Sequence, residues 1–338
     1  MNASVFLSNS YDGRSGLGMV RAERGSAGTW TSQFVMEQAD VRCLARAGGS
    51  SPIAYAGTDG NGVLRSDDRG VSWRMSGLAG VRLRSMAISP HDPQIVFAGS
   101  LSALLYRSDD GGSSWREVSS FRRIPNRWWW LSPAEWPPKP SVYAIAFSPT
   151  DPQVVLAGIE FGAVVRSQDG GETWSGHRSG AIRDCHALAF NTLDGSWAYQ
   201  AGAGRAAGAV SRDGGEKWRQ LTDGLDRSYG WACASDPERP EIWYLSASTG
   251  PGDAHSWDHA NAHIYRSVGG AGWEKLAGGL PQPCDHLPTS LLVEPGQSGH
   301  LYAGLTNGTI WFSSDHGDQW ERLPVDLKGI WHQLVMWV

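Results

Sequence analysis

The chain has 338 residues, 41% of them apolar and only 19% charged, with 43 glycines and 18 tryptophans. That length supports one large domain or two modest ones with ample core. Its 29 basic and 34 acidic residues leave a net charge of −5 with no basic block, which excludes a partner held by phosphate neutralisation and a basic membrane-surface role.

The elements repeat along the chain. Ser4–Ser8 reads as a second strand and Gly18–Arg21 as a third, and a worn turn ends at Trp30. A full unit follows the pattern of Leu83–Ile88, a Ser-Pro-x-Asp-Pro turn at 89–93, Ile95–Gly99, Leu104–Arg107 and a fourth strand from Trp115. Short β-branched and aromatic runs broken by Gly, Pro and Asp predict antiparallel meanders. Before each fourth strand stands Ser-x-Asp-x-Gly-x-x-Trp, as at Ser66–Trp73, Ser108–Trp115, Ser167–Trp174, Ser211–Trp218 and Ser313–Trp320. Ser267–Trp273 is one residue shorter and lacks the Asp. The closing tryptophans recur every 42 to 59 residues, which predicts seven four-stranded units with insertions at 121–140 and 246–263. The tail Trp331–Trp337 reads as a first strand that completes the unit begun by the N-terminus. The expectation is an all-β, seven-bladed β-propeller forming a single domain over 1–338.

No apolar run approaches the ~18 residues of a membrane span, and Met1–Arg14 has no basic segment leading into an apolar one. The expected location is cytoplasmic, or secreted if a signal peptide has been removed. Cys43, Cys185, Cys233 and Cys284 lack Cys-x-x-Cys spacing and are expected to be free thiols.

Through its five intact turns the sequence resembles the Asp-box (BNR-repeat) propellers over essentially its full length. This group includes sialidases, xyloglucan-type glycoside hydrolases, sortilin-type receptors and photosystem II assembly-factor propellers. The resemblance implies the fold and leaves function open, because enzymes and binders share the box. Its Asp and Ser suit turn amides, its Gly a tight turn and its Trp packing between blades.

Up-and-down topology puts the boxes on one face and the long loops on the other: 121–140 with Trp128, Trp129, Trp130 and Trp136, then 246–263, Tyr11–Leu17 and Arg178–Cys185. Function is expected on that second face. Aligned first strands bring Arg42, Arg84, Tyr143, His186, Trp231, Thr289 and His332 to the mouth of a central channel. Two residues earlier stand Asp40, Arg82, Ser141, Asp184, Tyr229, Leu287 and Ile330.

The preferred function is binding of a glycan-like or small anionic ligand at this mouth, with hydrolysis as its catalytic extension. Arg42, Arg82, Arg84, Tyr143, Trp231, His332, Trp129 and Trp257 are the candidate ligand-binding residues. Glycoside cleavage needs two carboxylates, so Asp184, Asp285 and Glu160 are candidate catalytic groups with His186 and Tyr229, and Asp40 lies on the same face. One alternative is a metal-dependent enzyme. If 255–263 is helical, His255, His259 and His263 share a face, and with His186, His286 and His332 they form a candidate transition-metal set. No other cofactor is implied. The last alternative is a non-catalytic interaction or assembly propeller whose protein partner docks on the Trp128–Trp136 loop.

Overall fold

The computed structural model describes residues 3–11, 17–37, 39–133 and 136–338; the expected loop after Tyr11 lies outside them. Among the described residues the chain is all-β, with twenty-seven strands, two 3-10 turns and one four-residue α-helix, Pro251–Ala254. No helix there is long and apolar enough to cross a membrane.

Consecutive strands pair antiparallel. Val41–Arg46, Ala54–Thr58, Val63–Ser66 and Arg74–Met75 form one four-stranded sheet, and Leu83–Ile88 through Arg116–Glu117 form the next. Val142–Phe147, Val155–Ile159 and Val164–Ser167 form a sheet of three. The eight strands from Asp184–Phe190 to Glu274–Leu276 are one sheet whose halves join only at Ala203 and Tyr229. Pro288–Val293 to Glu321–Asp326 make another four-stranded sheet. The last strand, Leu334–Trp337, pairs with Val5–Tyr11, as the tail predicts, so the two ends of the chain share a sheet.

Stacking follows from the composition of the second strands. Ala54–Thr58, Val96–Ser100, Val155–Ile159 and Leu301–Leu305 are buried at every position, which requires a neighbour on both faces. Glycine sets the closeness of that approach: a Cβ on Gly99 would lie 2.6 Å from the Val142 side chain of the next sheet. First strands touch in order, from Val41–Arg46 through Leu83–Ile88, Val142–Phe147, Asp184–Phe190, Tyr229–Ser235 and Pro288–Val293 to Leu334–Trp337. That last strand touches Val41–Arg46 again.

The repeated turn is held by its own side chains. Ser66 Oγ accepts the Gly70 amide at 2.8 Å and donates to Asp68 Oδ1 at 2.7 Å, while Asp68 accepts the Ser72 amide. Gly70 has φ +82°, a left-handed value that suits glycine. Four further turns repeat the Ser-to-Asp and Gly-to-Ser bonds. In the shortened copy Ser267 Oγ is buried without a partner. Arginines then make six ties from one set of strands to the turn of the next. Arg21 donates to the Arg69 carbonyl, Arg107 to Gly170, Arg166 to Gly214, Arg212 to Gly269 and Arg266 to His316. Arg65 donates likewise to Gly111. The four cysteines are free and buried.

Both insertions are folded rather than trailing. In 121–140, Phe121 and Trp130 are buried and Phe121 meets Trp174 edge to face at 5.2 Å. The helix in 246–263 ends at Ala254, before its first histidine. A helical face shared by His255, His259 and His263 therefore does not form. Pro251 opens that helix, and Asn261 takes a left-handed φ of 47°.

Candidate functional site

Residues at the starts of the first strands converge. Arg42, Arg84, Tyr143, His186, Trp231, Thr289 and His332 all line one cavity of about 270 Å³. Six of them sit near the start of successive first strands and His332 stands two residues before Leu334–Trp337, so strand stacking brings them together. Beside this cavity lies a larger cleft of about 920 Å³, lined by Glu160, Phe161, Asp184, Tyr229 and His255 among others.

Aromatic rings form the partition. His186 lies 4.8 Å from Tyr229 and 5.0 Å from Trp231, and Tyr143 is 6.2 Å from both His186 and Trp231. Such offset and edge contacts fix ring orientation. His186 Nδ1 donates to the Gly230 carbonyl at 2.7 Å, which leaves Nε2 facing Asp184 Oδ1 at 3.5 Å. Asp184 also accepts the Phe161 amide at 3.1 Å. Tyr229 Oη donates to His255 Nε2 at 3.1 Å.

Carboxyl groups stand on one side, and arginines paired with carboxylates on the other. Burial raises the Glu160 carboxyl above its ordinary range; a Ser132 hydrogen bond and His186 oppose that, and Asp184 adds to it. On the other side Arg42 grips Asp40 at 2.6 Å and its Nη1 donates to His332 Nε2 at 3.3 Å. Asp59 takes Arg82 and, at 3.4 Å, Arg84. Burial works against ionisation of Asp59, yet these arginines hold its carboxyl at about 2. Burial first, then Arg42 and Arg84, depress His332 to about 3, so its ring is neutral. Tyr143 stands between the two sides. Burial lifts its hydroxyl to about 12, with Glu160 and Asp184 pushing the same way and Arg84 and Arg42 opposing.

The remaining candidates lie elsewhere. Asp285 is exposed and lines neither cavity, so it is not brought to Asp184. His259 is exposed against Asp258, His263 is held by Gln282 and Arg227, and His286 is half-buried in a separate loop. Among the described residues no three His, Cys, Asp or Glu side chains are arranged to hold a metal ion; of the candidate metal set His186, His255 and His332 line the two cavities, while His259, His263 and His286 do not. Trp129 stacks on Trp128 at 4.2 Å in the open, the two 65% and 70% exposed, while Trp136 is 91% exposed. Pro133 of the same loop lines the larger cleft. Trp257 is half exposed and meets Trp331 at 6.1 Å. Asp59 and Trp331 escaped the sequence reading. Asp59 follows a second strand just as Glu160 does, and that shared register was the available signal.

The chain superposes on several solved structures. An ancestral GH74 enzyme matches with a TM-score of 0.66 and 20% identity, over 84% of this chain and 38% of that one. The GH74 xyloglucanase from Xanthomonas campestris matches with 0.64 and 20%, over 94% and 54%. YCF48 bound to D1 peptide matches with 0.56 and 16%, over 86% and 83%. These neighbours are β-propellers. The fold is a β-propeller. This propeller spans 38% and 54% of the two GH74 enzymes it matches. No family model matches the chain, and no curated protein matches it.

Proposed function

We propose that the chain is a seven-bladed β-propeller that binds a glycan in the larger cleft and hydrolyses its glycosidic bond. The seven-blade reading is supported by the succession of first strands and by the sheet shared between the two ends of the chain. The observation that carries the function is that Glu160 and Asp184 line one cleft, with the Glu160 carboxyl raised by burial. A carboxylic acid whose pKa is raised holds its proton to higher pH and can give it to the leaving glycosidic oxygen, while the second carboxylate activates the attacking group. Glu160 is the acid and Asp184, held by the Phe161 amide, its counterpart; His186 stands beside Asp184, and Tyr229 walls the cleft. The GH74 neighbours are consistent with this chemistry.

The test is hydrolysis of a panel of aryl glycosides and plant-wall oligosaccharides. Glu160→Gln is expected to lower kcat at least about a hundredfold with an unchanged melting temperature. Full activity in that variant would remove the assignment.

A second reading has its own support. The exposed Trp128, Trp129 and Trp136 form an apolar surface of the kind that receives a protein partner, and one structural neighbour is YCF48 bound to D1 peptide. Under this reading no glycoside is cleaved, and Trp128→Ser with Trp129→Ser abolishes partner capture.

A further inference from the structure

The repeated turns supply their own comparison at a place that neither cavity reaches. In each turn the residue after the leading Ser and the residue after the closing Trp occupy matching positions. They are Asp67 and Arg74 in one unit and Asp109 and Arg116 in the next, ion-paired at 3.3 and 3.5 Å. In the turn Ser211–Trp218 the same two positions hold Arg212 and Arg219, and none of the other three turns carries two cations there. Like charges on neighbouring positions cost stability. We propose that this turn is an anion site that binds a phosphate monoester, independently of the chemistry in the cleft.

A hollow of about 300 Å³ is lined by Arg212, Lys217, Arg219 and Asp213, and none of its lining residues faces the cleft or the smaller cavity. Among the described residues none of the three cations forms an ion pair. Asp213 Oδ1 is committed to the turn, accepting the Ser211 hydroxyl and the Glu216 and Lys217 amides at 2.8 to 3.0 Å. The neighbouring Glu216 is taken by Arg166 and Arg178. Three cations against one carboxylate match a phosphate monoester, which carries about two negative charges at pH 7.

Both guanidinium groups are held in advance. Arg219 Nη2 donates to the Gly270 carbonyl at 2.6 Å and Arg212 Nη2 to that of Gly269 at 3.0 Å. Arg212 also lies over the Trp197 ring at 4.5 Å. The two ends meet over one glycine: a Cβ on Gly270 would lie 2.8 Å from Arg219 Nη2 and 3.7 Å from Arg212 Nη2. Each fork spends an N–H group on the backbone and keeps others for the oxygens of a ligand. The hollow is at the small end of ligand pockets. Three cations on a chain of net charge −5 suit one anionic group and not a polyanion.

Titration calorimetry with glycerol 3-phosphate, a phosphoserine peptide and methyl sulfate tests this, since the sulfate keeps the tetrahedral shape with a single charge. Wild type is expected to bind the better of the two phosphates at least about tenfold more tightly than methyl sulfate. The ranking of the two phosphates names the carrier, small molecule or peptide. Arg219→Ser should lower phosphate affinity at least about tenfold. Arg212→Asp, which installs the pairing of the other two units, should do the same. Phosphate should raise the melting temperature of wild type and of neither variant. Equal affinity for phosphate and sulfate, no phosphate binding, or affinity that survives in either folded variant overturns the site.

Discussion

Asp59 carries the guanidinium groups of Arg82 and Arg84 and stands 3.7 Å from that of Arg42. Its carboxyl ionises at about 2, below the ordinary 3.8. A depressed acid stabilises the fold above its unfolded pKa, and that contribution is lost as pH falls through the folded value. Asp59→Asn is therefore expected to cost about 2 kcal/mol at pH 7 and close to nothing near pH 2, read from urea unfolding at each pH. An equal cost at both would deny the pairing. At this scale the sequence was legible where register repeats. Arg42, Arg84, Tyr143, His186, Trp231, Thr289 and His332 fall in one column, and the column lines one cavity. Asp59 was not legible because its role depends on which arginines cross to it from neighbouring strands. Asp285 lines neither cavity because it lies in the loop before its first strand, beyond the repeating register.

At the scale of the element, the five complete turns and the shortened one form an internal control. Ser211 Oγ accepts the Gly215 amide and donates to Asp213, whereas Ser267 Oγ is buried without a partner. Removing a satisfied capping hydroxyl costs about 1 kcal/mol, and removing an orphaned one costs little or stabilises. Ser211→Ala is expected to destabilise by about that amount and Ser267→Ala not at all, as measured by chemical denaturation. Equal effects would mean that the hydrogen bonds are not what matters. The turns were readable because their chemistry is local. The 246–263 insertion was not, since histidines at helical spacing carry no information about where a helix stops. Pro251 and Gly252 start a single turn there, and the chain then leaves for Ala260 and its backbone bond to Asp285.

Over the whole molecule, strands separated by more than three hundred residues share one sheet. Leu334, Met336 and Trp337 are all buried where the last strand meets Val5–Tyr11. Ending the chain after Gln333 removes these side chains and exposes the edge of the first sheet. The expected loss is on the order of 5 kcal/mol, with a lower and broader thermal transition. An unchanged transition would show that the two ends fold independently. The global plan was legible because a period in the forties, a missing first strand at one end and a spare one at the other fit together. Which loops would enclose space was not, because cleft volume depends on how 121–140 folds back through Phe121 and Trp130.

The joint between Ala203 and Tyr229 has a mechanical consequence. Both residues line the larger cleft, and their backbone pairing stitches together the two sheets that flank it. A groove sewn at its floor resists opening like a hinge. The width of the cleft is then set by the fold rather than by any closing jaw.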